Sequence, residues 1–124
     1  MRVVLVGICG SGKSTLAREL VARGYEVREC RQEHSGVPHM WQVISRPDVL
    51  VYLDATEDTL IRRGRRPYVP GLVEEQRRRL AHARAHCDLY VATDDLTPSQ
   101  VLERVLAFLS DHLEKRNDLT DGTG

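Results

Sequence analysis

Apolar and polar positions along this chain fall into blocks whose period keeps changing. Val3-Val4-Leu5-Val6 is a continuous apolar run bounded by Gly7, the pattern of a parallel strand buried on both faces. From about Lys13 to Arg23 the spacing becomes helical, with Leu16, Leu20 and Val21 on one face, and Gly24 follows where a left-handed cap residue belongs. Tyr25 to Cys30 alternates, Tyr25 and Val27 against Glu26 and Arg28, which predicts a half-buried strand at a sheet edge. Arg31 to Gly36 is polar and reads as loop. Pro38 opens a short helix carrying Met40, Trp41, Val43 and Ile44, and Pro47 stops it.

The second half repeats the alternation of strand and helix. Asp48 to Asp54 is another buried apolar run, and Thr56 is a good N-cap, with Glu57 and Asp58 in the first turn of a helix that ends near Arg63 at Gly64. Arg65 to Gly71 is a loop with two prolines. A long helix runs from Leu72 to about His86, with Leu72, Gln76, Leu80, Ala83 and Cys87 on one side and arginines on the other. Leu89 to Ala92 is a short strand. Thr97-Pro98-Ser99-Gln100 forms a capping box with proline at the first helical position, ahead of Leu102, Val105, Leu106, Leu109 and Leu113 at helical spacing. Lys115 to Gly124 is polar and reads as a frayed, flexible tail. The expectation is an α/β domain over residues 1–114, with a small parallel sheet of about four strands, right-handed crossovers and helices on both faces.

Composition adds bounds. A length of 124 residues fits one domain, short for a nucleotide-binding α/β fold, and 41% apolar residues suffice for a modest core. The formal net charge is zero, so no global field favours nucleic acid or an anionic membrane. Locally, Arg62 to Arg84 holds eight arginines against Glu74 and Glu75, a balance of +6, but with Tyr68 alone among them it lacks the aromatic interleaving that a single-stranded nucleic-acid site needs. Cys9, Cys30 and Cys87 form neither a metal pattern nor a disulfide framework, and no signal peptide or membrane-length apolar run is read; a reducing cytoplasm is expected.

The chemistry concentrates in Gly7-Ile8-Cys9-Gly10-Ser11-Gly12-Lys13-Ser14-Thr15, which fits G-x-x-x-x-G-K-[ST] at every fixed position between a strand and a helix. A polyphosphate must be met by many donors at close range. Gly7, Gly10 and Gly12 let backbone N–H groups, including that of Ser11, turn toward phosphates, and the helix start adds its positive end. Lys13 supplies a mobile ammonium, Ser14 is the expected magnesium ligand, and Thr15 offers a second hydroxyl. Lys13 and Lys115 are the only lysines of the chain.

On this motif the chain resembles the P-loop nucleotide-binding proteins. Pro47 to Arg63, then Arg65-Arg66-Pro67, then Cys87 to Pro98 resemble corresponding segments of the shikimate, adenylate and thymidylate kinase relatives, so that the likeness covers roughly residues 1–30 and 47–110. The resemblance implies a P-loop NTPase fold in minimal form, with ATP and magnesium bound and the γ-phosphoryl passed to a small acceptor. Arg63 and Arg66 then offset charge as catalytic residues beside Lys13, and Pro98 borders the nucleotide. The chain departs from these kinases between its second and third strands, where only Arg31 to Arg46 replaces a strand and an acceptor-binding segment; a nucleotide-binding regulatory module with slow hydrolysis is the alternative.

Further residues have two readings each. Asp54 ends an apolar run and is a candidate magnesium ligand with Ser14, or a strand-end residue; Glu29 and Glu33 are its rivals. Arg77 to Arg79 read as a solvated face, and Arg84 as either solvated or facing the site. His82 and His86, a turn apart beside Cys87, are incidental surface residues or part of a zinc site. His34, Ser35, His39 and Trp41 are plain loop and core residues or, with the rest of Arg31 to Trp41, line the acceptor or partner side of the nucleotide pocket.

Overall fold

The computed structural model describes residues 2–8, 11–30, 32, 37, 40, 42, 48–63 and 72–123. Four strands form one sheet: β1 (Arg2–Gly7), β2 (Glu26–Glu29), β3 (Val49–Asp54) and β4 (Leu89–Ala92). All pairings are parallel and the order is β2-β1-β3-β4. The helices among the described residues are α1 (Lys13–Ala22), α2 (Glu57–Arg62), α3 (Leu72–His86) and α4 (Pro98–Thr123). The expected α/β architecture is present. Of the short helix expected after Pro38, only Met40 and Gln42 lie within the described residues, and both are helical.

The period-2 alternation of a strand decides which side chain meets which helix. Val3 and Leu5 of β1 join Val49, Val51 and Leu53 of β3 under Leu16 and Leu20 of α1 and Val101, Leu102, Val105 and Leu109 of α4. Val4 and Val6, with Leu50 and Tyr52, face the other way, against Leu60 of α2 and Leu80 and Ala83 of α3. β1 from Val3 to Val6 and β3 from Val49 to Leu53 are therefore apolar at every position, whereas β2, at one edge, half-buries only Val27. Each fully buried Leu or Val contributes about 1.5–3 kcal/mol, while the surface pairs Arg2–Glu26 and Arg23–Glu19 contribute at most about 1 kcal/mol each; packing across both faces holds the sheet.

The helix ends follow the sequence signals. Thr56 caps α2, accepting from the Thr59 N–H, and the Thr97–Gln100 capping box is formed in both directions, at 2.9 and 3.2 Å. Helix α4 runs on through residues read from the sequence as a tail, as far as Thr123. Nothing in Glu114-Lys115-Arg116-Asn117-Asp118-Leu119 breaks a helix, and the next glycine is Gly122.

Parallel strands all end on the same side, so β1 delivers Gly7 to the edge where β3 ends in Asp54 and β4 in Ala92. The approach at Gly7 is close: a Cβ there would stand 2.1 Å from the Leu53 carbonyl oxygen. Gly7→Ala is expected to lose about 2–3 kcal/mol by this overpacking, read as a lowered midpoint in urea unfolding; an unchanged midpoint would contradict the close approach of β1 to β3.

Candidate functional site

The loop between β1 and α1 is built from a tight turn and an uncapped helix start. The Ser11 N–H donates to the Ile8 carbonyl at 3.0 Å, and Ile8 is fully buried in the core under α3, which anchors the loop from below. Gly12 occupies the N-cap position at φ +105, where a side chain would be strained, and no side chain caps α1. The first turn of α1 has no acidic residue, so no carboxylate of that turn offsets the positive end of the helix. Among the described residues, a Cβ at Gly12 would meet nothing within 4 Å. Cys9 and Gly10 lie outside the described residues.

Four side chains of the motif carry its polar groups. The Lys13 ammonium donates to the Gly7 carbonyl at 2.6 Å, folding back across the loop. The Ser14 hydroxyl donates to the Glu29 carboxylate at 2.9 Å. Thr15 is half-buried. The Ser11 hydroxyl is buried beside Gly7, and among the described residues it is the buried side-chain polar atom with no hydrogen-bond partner. Such an atom costs about 1–3 kcal/mol unless a ligand or water meets it.

The two candidate acids sit on opposite faces of the sheet. Glu29 stands level with Leu5 and shares its face with Val27, the face that α1 covers, which is why it reaches Ser14. Asp54 shares its face with Leu50 and Tyr52, toward α3. It is 4% exposed, and its carboxylate accepts from the Ala55 N–H at 2.9 Å, from Arg77 at 3.1 Å and from the Tyr90 hydroxyl at 2.5 Å. Arg77, read from sequence as solvated, is the ion-pair partner of Asp54 and also donates to the Ala55 carbonyl at 3.1 Å. Removing one partner of such a buried bond costs about 1–3 kcal/mol, more than any of the surface pairs.

Around Asp54 the aromatics stack. The Tyr52 and Tyr90 rings lie 5.6 Å apart, and the Arg84 guanidinium covers Tyr90 at 4.0 Å. Burial, then the nearby Asp54 charge, pushes the Tyr52 hydroxyl up to about 12. Burial, then its hydrogen bond to Asp54, raises Tyr90 as well. Both phenols therefore stay protonated, and that of Tyr90 is the donor to Asp54.

The end of β4 contributes a residue the sequence reading passed over. Thr93, 2% exposed, has its hydroxyl 3.1 Å from the Ser11 carbonyl of the loop and 3.1 Å from the Asp54 carbonyl of β3. Arg63, at the end of α2, donates to the Thr93 hydroxyl at 3.3 Å and to the Thr93 carbonyl at 2.8 Å. Of the two arginines expected to offset charge, Arg63 is thus brought to the loop through Thr93; Arg66 lies outside the described residues. Pro98 opens α4, exposed, on the same side of the sheet as the loop. Glu33, His34, Ser35, His39 and Trp41 also lie outside the described residues.

His82 and His86 stack on each other at 4.3 Å, and burial raises the Cys87 thiol, which donates to the Arg84 carbonyl. Among the described residues no group of three or more His, Cys, Asp or Glu side chains is placed to hold a metal ion. Nor is any helix among them long and apolar enough to cross a membrane. Compared with known proteins, the chain matches no family model and no curated protein.

Next to the loop, Asp94 ties the start of α2 to the end of β4. Partial burial works to raise its pKa, but bonds from the Thr56 N–H, the Thr59 hydroxyl and the Thr56 hydroxyl outweigh it and bring the carboxyl from its ordinary 3.8 down to about 2. A carboxyl lowered by folding stabilises the fold above its unfolded value and loses that contribution as pH falls through the folded one. Stability is therefore expected to decline between pH about 4 and about 2 partly through Asp94. The difference between wild type and Asp94→Asn in urea midpoint should shrink over that range; a constant difference would contradict it.

Proposed function

We propose that this protein binds ATP with magnesium in the loop of residues 7–15 as a minimal P-loop NTPase fold and transfers the γ-phosphoryl group to a small acceptor. The observation that carries the reading is the loop itself: a G-x-x-x-x-G-K-S-T turn at the carboxyl ends of a parallel sheet, opening onto an uncapped helix start with Lys13 laid across it. Ligands of open α/β sheets bind at that edge.

Within the proposal each residue has a task. Backbone N–H groups from Gly10 to Thr15 surround the β-phosphate, and Lys13 exchanges the Gly7 carbonyl for phosphate oxygens. Ser14 and Glu29 are the magnesium ligands, since a hydroxyl and a carboxylate 2.9 Å apart are hard oxygen donors suited to that ion. Asp54 is not used for the metal, because Arg77 and Tyr90 occupy its carboxylate. When bound, magnesium supplies charge neutralisation between the β- and γ-phosphates. Arg63, with Arg66 three positions later in the sequence, offsets the charge that spreads over the γ-phosphoryl oxygens during transfer. Pro98 and the Thr93–Thr97 turn border the nucleotide on the β4 side. The expected partners are a nucleoside triphosphate and a small acceptor, without nucleic acid or membrane, in a cytoplasmic setting.

A second reading, a nucleotide-binding module that signals its bound state and hydrolyses slowly, is favoured by the short connection between Cys30 and Asp48. Product analysis with ATP and candidate acceptors separates the two: a phosphorylated small molecule supports the kinase, and slow ADP release without one supports the module.

Calorimetry tests the shared core of both. Wild type is expected to bind ATP and ADP, and Lys13→Ala to weaken both by about 100-fold or more while its melting temperature holds, since the loss falls on charge-assisted bonds. Glu29→Gln should reduce magnesium-dependent affinity and spare affinity measured in EDTA. Unchanged affinity in Lys13→Ala would overturn the reading of the loop.

A further inference from the structure

The hydroxyl of Thr93 is placed where three independent parts of the molecule meet. Its single proton faces two carbonyls at 3.1 Å, that of Ser11 in the loop and that of Asp54 at the end of β3. Its lone pairs receive Arg63 at 3.3 Å, and the Thr93 backbone holds the same two elements again: its N–H donates to the Asp54 carbonyl at 2.8 Å, and its carbonyl accepts from Arg63 at 2.8 Å. The side chain is buried, so these bonds form away from competing water. No other hydroxyl among those described joins the loop to both a strand end and an arginine.

We propose that Thr93 is a positioning residue for the phosphate loop. It fixes the Ser11 carbonyl, and with it the peptide that leads through Gly12 into Lys13, against the ends of β3 and β4. It anchors Arg63 on the same point, so the arginine and the loop move as one body. The consequence is a built-in register between the group that holds the phosphates and the group that offsets their charge. Positioning matters in such a site because phosphoryl transfer depends almost wholly on placement and electrostatics. The functional half of this inference rests on the nucleotide reading of residues 7–15; the structural half does not.

The fold explains why threonine suits the position. The methyl group belongs to a buried site next to the apolar end of β4, while the hydroxyl must both donate and accept. Valine keeps the shape and removes the hydroxyl; serine keeps the hydroxyl and removes the methyl. The pair of variants therefore separates packing from hydrogen bonding.

Two readouts are needed, so that failure of this inference is distinguishable from failure of the nucleotide reading. The first uses the ligand-free protein. In Thr93→Val, amide hydrogen exchange at residues 11–15 should accelerate about tenfold or more, the scale of one lost buried hydrogen bond, while the central residues of β1 and β3 keep their rates; Thr93→Ser should restore slow exchange in the loop. A merely structural role would instead accelerate exchange through the whole sheet. The second readout is calorimetric affinity for ATP with magnesium, expected to fall about tenfold in Thr93→Val and to recover in Thr93→Ser. Loop exchange at the wild-type rate in Thr93→Val, or no recovery in Thr93→Ser, overturns the inference. If wild type binds no nucleotide, the loop-exchange result still decides whether Thr93 positions the loop. Should Thr93→Val not fold, the wild type itself carries the test. A Thr93 hydroxyl proton slow enough in exchange to be seen by NMR supports the inference, and rapid exchange of that proton overturns it.

Discussion

Everything at the carboxyl edge of this sheet depends on how closely β1 and β3 approach there. The chain leaves β1 at Gly7 pressed against the Leu53 carbonyl, with no room for a side chain. Parallel pairing from Val3 opposite Val49 to Gly7 opposite Leu53 sets that distance, and the apolar residues on both faces of the two strands set the pairing. Once Gly7 is fixed, Ile8 is directed into one core, the turn closes from Ser11 back to Ile8, and α1 starts at Lys13 with its positive end at the loop. The shape of the loop is thus a consequence of strand packing, and its exposed donors are what remains after packing is satisfied.

Electrostatics is divided by the sheet into two compartments. On the face that α1 covers, Glu29 meets Ser14 at the mouth of the loop. On the opposite face, Asp54 is neutralised by Arg77, held by Tyr90 and kept away from Ser14. The division follows from strand parity alone: Glu29 lies on the side of Val27, and Asp54 on the side of Tyr52. The buried Asp54 group orders α3 against β4, where Arg84 closes over Tyr90, and leaves the acid beside the loop as the one with a functional reading.

Much of this was legible in the sequence because it rests on local signals. Apolar runs without alternation marked the central strands, alternation marked the edge strand, and capping residues marked the starts of two helices at Thr56 and Thr97. The glycine-lysine-serine spacing marked the loop, since glycine is required there by both φ and contact. What stayed hidden depends on residues distant in the chain. The partners of Asp54 are an example: Arg77, twenty-three positions later, and Tyr90, thirty-six later, are brought to it only by α3 and β4. Arg77 belongs to an arginine run that reads as solvated, and only its position on the β4 side of α3 distinguishes it from Arg78. Thr93 carried a weak signal, a small hydroxyl residue directly after a parallel strand, whose meaning appears only when β4 is set beside β3. The helical run to Thr123 carries no strong sequence signal, since Asn117, Asp118, Thr120 and Gly122 are weak helix formers.

The central claim is that the donors left exposed where β1 meets α1 hold a polyphosphate. The most direct measurement is a backbone amide NMR titration of the intact chain with ATP and magnesium, followed residue by residue. The account predicts saturable shifts centred on residues 11–15, with Glu29 responding to the metal and the far ends of the strands silent. Saturable shifts located elsewhere, or none in the loop at millimolar nucleotide, would contradict it.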